Sequence, residues 1–155
     1  EFVAAVLKLS GDYREPDTDL HKLEGTIVAM GQKLMDPPSV EGWHTGKEWI
    51  DGGTLTERVN YAIDTLNDPE KPGVRAIVDR IRSGGDAASP AQFVDSLLDL
   101  VGPLELESET RDTLLAHAEK DGPLEWGSDE SASASTERVV QLLTLVVSAR
   151  EYQFN

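Results

Sequence analysis

The chain has no cysteine. Disulfides, thiol catalysis and cysteine-zinc sites are therefore excluded, and redox logic says nothing about the compartment. It has no apolar run near the roughly 20 residues that cross a bilayer as a helix, so direct membrane insertion is not expected. It is poor in basic residues, with 14 Lys and Arg against 29 Asp and Glu and a formal net charge of -15. Such a field repels phosphate backbones and anionic lipid, so nucleic acid is not expected as a partner. A solvated acidic surface is the plain reading of the charge. Phosphate-binding glycine loops are missing, since Gly52-Gly53 has neither a following Lys-Ser nor a preceding strand. No fixed-period repeat points to a solenoid.

What is present is enough for a core. With 155 residues, 39% of them apolar, the chain is expected to form a single helical domain over 1–155. Apolar residues at intervals of three and four, punctuated by Gly and Pro, predict an all-α fold of about seven helices in an irregular orthogonal or bundle-like arrangement. A first helix carries Phe2, Val3, Val6, Leu7 and Leu9 and ends at Ser10-Gly11. A second, capped by Thr18 or Asp19, carries Leu20, Leu23, Ile27, Met30 and Leu34 and stops at Asp36-Pro37-Pro38. Thr54 and Glu57 read as a capping box for the third, whose face is Leu55, Val59, Ala62, Ile63 and Leu66. A fourth carries Val74, Ile77, Val78 and Ile81. A fifth opens at Ser89-Pro90 and buries Phe93, Val94, Leu97, Leu98 and Val101. A sixth starts with Ser108 as its cap. The segment 121–135 reads as a mobile surface loop anchored by Leu124 and Trp126. The last run, "TERVVQLLTLVVSAREYQF", is apolar on most sides, as a central helix would be. The uncapped opening reads as a cut, so the chain is expected to be the C-terminal fragment of a longer protein. The first helix is then expected to expose an apolar patch around Phe2, Val3 and Val6, open to weak homodimerisation.

Chemistry-bearing patterns are sparse. His44 and Glu48 have metal-ligand spacing, but Gly46 interrupts them and further ligands are not nearby, so no metal is expected. No serine sits in a nucleophile elbow, and no catalytic residue or cofactor is expected. The informative stretch is "GQKLMDPPSVEGWHTGKEWI", a Pro/Gly/Trp loop between the second and third helices. Trp43 and Trp49 either bury themselves as a structural plug or, with His44 and Arg58, form a ligand platform, because aromatic faces stack on sugars and bases. Arg58 is placed to stack on one of these indoles or donate to loop carbonyls.

Gly31, Gln32, Pro37, Pro38, Val40, Gly42, Trp43, Trp49, Ile50, Leu55, Arg58 and Asn60, with the tail Glu151-Tyr152-Gln153, carry a resemblance. This pattern resembles a large bacterial family of unknown function, domain-of-unknown-function family 1800. Members are several hundred residues long and many carry export signals. The resemblance therefore implies an extracytoplasmic location and a missing N-terminal region of the same protein as partner. It implies no activity. Three readings stand: a non-catalytic structural or interaction domain of a larger exported protein; a binder of carbohydrate or cell-surface polymer through Trp43 and Trp49; and part of an enzyme whose site is shared with the missing region.

Overall fold

The structure is a computed structural model that describes residues 2–14, 20–31, 33, 35–37, 39–42, 50–85 and 89–154, with the side chains of Leu20 and His21 set aside. Among these residues it is all-α, without a strand. Eight helices run in the order α1 (Phe2–Ser10), α2 (Leu20–Ala29), α3 (Gly52–Leu66), α4 (Pro72–Ser83), α5 (Pro90–Val101), α6 (Ser108–Glu119), α7 (Asp129–Ser148) and α8 (Arg150–Gln153). A single 3-10 turn, Asp12–Arg14, follows α1.

The order follows from which faces must leave water. In α7, Val139, Val140, Leu142, Leu143, Val146 and Val147 are all buried. Beyond its first turns, where Asp129, Glu130 and Ser133 are exposed, only the stripe Ala134, Glu137, Gln141 and Leu145 is exposed, Leu145 to 38%. Its faces are covered by α3, α4, α5 and α6, and α8 folds back on its end. Each fully buried Leu or Val contributes roughly 1.5–3 kcal/mol relative to exposure, so α7 is the element around which the others pack. The narrower apolar faces of α4 (Val74, Ile77, Val78, Ile81) and α5 (Phe93, Val94, Leu97) join the same core. The eighth helix, four residues long, is an addition to the seven that the periodicity predicts. Among the described residues, no helix is long and apolar enough to cross a membrane.

Four boundaries differ from the sequence reading. Helix α2 ends at Ala29, with Met30 and Gly31 in a turn, rather than running on to Asp36-Pro37-Pro38. Helix α3 is capped one turn earlier: Asp51 accepts from the Thr54 amide at 2.8 Å, and the Thr54 hydroxyl accepts from the Asp51 amide at 2.9 Å. A carboxylate is the stronger cap, so the box forms on Asp51 and Thr54 rather than on Thr54 and Glu57. Glu107, not Ser108, occupies the cap position of α6. The irregular stretch expected over 121–135 is corrected, since α7 begins at Asp129 with Ser128 and Ser131 forming a capping box. The short serine and alanine side chains there were misread as loop composition.

The remaining loop is held on both sides. Leu124 and Trp126 are buried, and the buried Ser135 hydroxyl donates to Glu125 O at 2.7 Å and accepts from the Glu125 amide at 3.0 Å. Arg138 of α7 donates to the carbonyls of Ala118 (3.0 Å), Gly122 (2.7 Å) and Pro123 (3.1 Å), closing the C-terminal end of α6.

The expected apolar patch on α1 is also corrected. Val3 and Val6 are buried against α3 and α4, and Phe2 is half-buried. Helices α1 and α4 meet where neither has a side chain. A Cβ built on Gly73 would overlap the carbonyl oxygen of Leu9 and lie 2.8 Å from the Gly11 amide nitrogen. Gly11 has φ +81°, which glycine adopts without strain.

Two substitutions test this packing. Gly73→Ala should lower stability by roughly 1–3 kcal/mol, because the crossing must open to admit a methyl group. Val140→Asp should leave the chain unfolded, whereas Leu145→Asp, on the exposed stripe, should shift the urea midpoint little. A Val140→Asp protein with the parent's midpoint would show that α7 is not central.

Candidate functional site

Arg58 is the residue on which sequence and structure meet. It projects from α3 toward both ends of the described chain. Its Nε donates to Gln153 Oε1 at 3.2 Å, and Nη2 donates to the Gln153 carbonyl at 2.5 Å. Its guanidinium carbon sits 4.0 Å from the centre of the Phe2 ring, and the Phe2 ring meets Tyr152 edge-on at 6.1 Å. Gln153 is itself buried and donates through Nε2 to Val147 O at 2.6 Å. Glu151 Oε1 accepts from the Glu107 amide at 3.0 Å, tying the same tail to the start of α6. The expectation of an indole or loop carbonyls as its partners is corrected: the planar fork stacks on Phe2 and donates to Gln153. The Tyr152 pKa is pushed up to about 12 by burial, opposed by the charge of Arg58. Burial lowers the Arg58 pKa from its usual value. The Tyr152 hydroxyl is buried and finds no hydrogen-bond partner.

This cluster is a clip rather than a reactive centre. Its cation is covered by an aromatic ring and its bonds are spent on the chain's own backbone and amide. Nothing in the sequence pairs Arg58 with Gln153 or assigns Phe2 as the ring under it.

The other proposed site residues are divided. Trp43, His44 and Trp49, together with Gln32 and Pro38, lie outside the described residues. Pro37 is exposed. Gly42 closes a tight turn by donating its amide to Ser39 O at 3.0 Å, at φ +95° where glycine is favoured. Beside it Val40 is fully exposed.

A cavity of about 860 Å³ lies among α1, α2 and α3. Its polar wall is a stripe of α3, Glu57, Asn60, Tyr61 and Asp64, at the i, i+3, i+4, i+7 spacing that puts side chains on one helical face. Leu7 and Leu23 supply apolar area. Asp12 and Lys71 form an ion pair of 2.8 Å at its margin. Burial chiefly raises the Tyr61 pKa; Thr65 lies near enough to oppose that without a hydrogen bond of good geometry. The sequence reading passed over this stripe, although it is simply the polar face opposite Leu55, Val59, Ala62 and Leu66.

Removing Arg58 should cost stability, not chemistry. Arg58→Ala should destabilise by roughly 2–4 kcal/mol, since charged hydrogen bonds and a covered cation–π contact are lost together. Arg58→Lys should recover little of it, because lysine offers a point charge in place of a fork. Urea unfolding of both variants reads the difference. Tyr152→Phe should be neutral or stabilising at pH 7, because it removes an unpartnered buried hydroxyl. The native Tyr152 pKa lies above the unfolded value, so its contribution is full below about pH 10 and is lost as pH rises toward about 12. Tyr152→Phe should flatten that alkaline decline. An identical decline in the variant would locate its cause elsewhere.

No curated protein and no solved structure matches the chain. One family does, described as a protein of unknown function (DUF1800), and its match covers residues 1–154. The chain belongs to that family.

Proposed function

We propose that the chain is a non-catalytic helical interaction domain of a larger, exported protein, and that it takes a ligand in the groove among α1, α2 and α3. The observation that supports this reading is the groove itself. Its volume of about 860 Å³ falls in the range of ligand sites, roughly 300–1,000 Å³. Its lining mixes apolar area from Leu7 and Leu23 with the carboxylate, amide and phenol row of α3. Side chains at i, i+3, i+4 and i+7 recur at about one helical turn, 5.4 Å, which suits a linear ligand with regularly spaced polar groups. Carboxylates and an amide accept from and donate to hydroxyls, and the net charge of -15 disfavours polyanions.

A neutral, hydroxyl-rich polymer such as a carbohydrate of the cell surface is therefore the preferred ligand. One further observation favours it. The connection that carries Trp43, His44 and Trp49 joins α2 to α3, two of the helices that line the groove. Stacking of an indole on a sugar ring would complement the polar row. The remaining, N-terminal part of the protein is the proposed covalent partner of the domain.

The test is calorimetric titration with soluble neutral glucans, chitin oligomers and peptidoglycan fragments. A Cβ on Gly25 meets nothing within 4 Å, and Gly25 lines the groove, so Gly25→Trp fills it without disturbing the core. Saturable binding that disappears in Gly25→Trp and weakens at least tenfold in Asn60→Ala is expected. Trp43→Ala and Trp49→Ala should weaken binding while keeping the parent's denaturation midpoint. A loss of roughly 3–5 kcal/mol of stability in those two variants would instead identify a structural plug. Binding that survives Gly25→Trp, or no saturable binding across the panel, sinks the groove reading.

A further inference from the structure

We propose a second interaction surface, a basic and apolar groove at the α1–α4 crossing that docks an acidic amphipathic segment of a partner protein. This groove, about 510 Å³, runs between the end of α1, the Asp12–Arg14 turn, the start of α4 and the end of α5. It exists because Gly11 and Gly73 let the two backbones meet without side chains, leaving a depression beside the crossing. Leu9, Ile77, Leu100 and Val101 give it an apolar floor.

Its charge runs against that of the chain. Acidic residues outnumber basic ones 29 to 14 overall, yet among the described residues the lining holds Lys8 and Arg14 and no carboxylate. Most of the described basic residues that form ion pairs, such as Lys33, Lys71, Arg75, Arg111 and Arg138, sit elsewhere beside their own carboxylates. Among the described residues, Lys8 and Arg14 have no such partner. Asp12, in the same turn as Arg14, is engaged by Lys71 at 2.8 Å. Arg14 is also held in place: its Nε donates to the Tyr13 hydroxyl at 2.7 Å and its guanidinium lies 5.2 Å from that ring's centre. Those contacts leave its two terminal nitrogens for a ligand. Tyr13 is 53% exposed. A positioned arginine beside an exposed tyrosine over an apolar floor is the composition of an interface anchor.

Charge complementarity selects the occupant. An amphipathic helix lays its apolar i, i+3, i+4, i+7 face into such a groove, and flanking carboxylates meet Lys8 and Arg14. An anionic bilayer is disfavoured, because it presents an extended field to a chain of net charge -15. A short segment meets mainly the charges within a screening length of about 8 Å.

The experiment titrates the intact chain with a synthetic peptide of about 16 residues, leucine at helical spacing and glutamate elsewhere, with capped ends. The control peptide carries lysine in place of every glutamate. Lys8→Glu/Arg14→Glu reverses the groove's charge, and Ala76→Trp fills it from an exposed position on α4. The glutamate peptide should bind at least tenfold more tightly than the lysine peptide. The double variant should invert that preference, Ala76→Trp should abolish binding, and Gly25→Trp in the other groove should leave it unchanged. Circular dichroism of each variant confirms folding. Equal affinity for both peptides, binding indifferent to the variants, no saturable binding, or preference for phosphatidylglycerol vesicles over the peptide would each overturn the proposal.

Discussion

The burial of α7 is the constraint from which the rest of the architecture follows. A 20-residue helix with a single exposed stripe cannot be covered by one neighbour. Helices α3, α4, α5 and α6 each cover part of it, and their own apolar faces are correspondingly narrow. That division explains how a chain with 28% charged residues still holds a continuous core. Polar side chains crowd the outer faces, and the grooves open where α1, packed chiefly on α3 and α4, and α2, packed on α3, cross the surface.

The ends of the chain are secured differently, through polar chemistry. Arg58 reaches Gln153 across 95 residues of sequence and covers Phe2 from α1, so one side chain links α1, α3 and α8. A half-buried guanidinium costs solvation, and that cost is recovered only because its nitrogens find a carbonyl and an amide oxygen. The contact is long-range, so closing it carries a loop-closure entropy that the local helices do not.

Much of this was legible because short-range rules decide it. The apolar positions of α4 and the Ser89-Pro90 opening of α5 read directly into buried residues and a capping box. The anchors Leu124 and Trp126 were equally plain. Helix α7 started earlier than its composition implied, since serine and alanine serve a helix well when Ser135 turns inward to bond the Glu125 backbone. Alternation of three and four cannot say which face of α1 is covered, so Val3 and Val6 read as a patch although α3 and α4 hide them. The pairing of Gly11 with Gly73 has no local signature, because each glycine alone is ordinary loop or helix-start chemistry.

The residues that carry the family resemblance also bear on where function lies. Arg58, Glu151, Tyr152 and Gln153 are used up in holding α8 against α1, α3 and α6. Such positions identify a fold and leave the chemistry open, because Arg58 Nε and Nη2, the Gln153 amide and one Glu151 oxygen are spent on the chain itself. Asn60 departs from that pattern. It lies half a turn from Arg58 on α3, points with Glu57 and Asp64 into the cavity beside α2, and is exposed. Among the described residues Asn60 makes no side-chain hydrogen bond, so the short motif that supplies a structural arginine also holds a residue on the outer face of α3 that the packing of the core does not use.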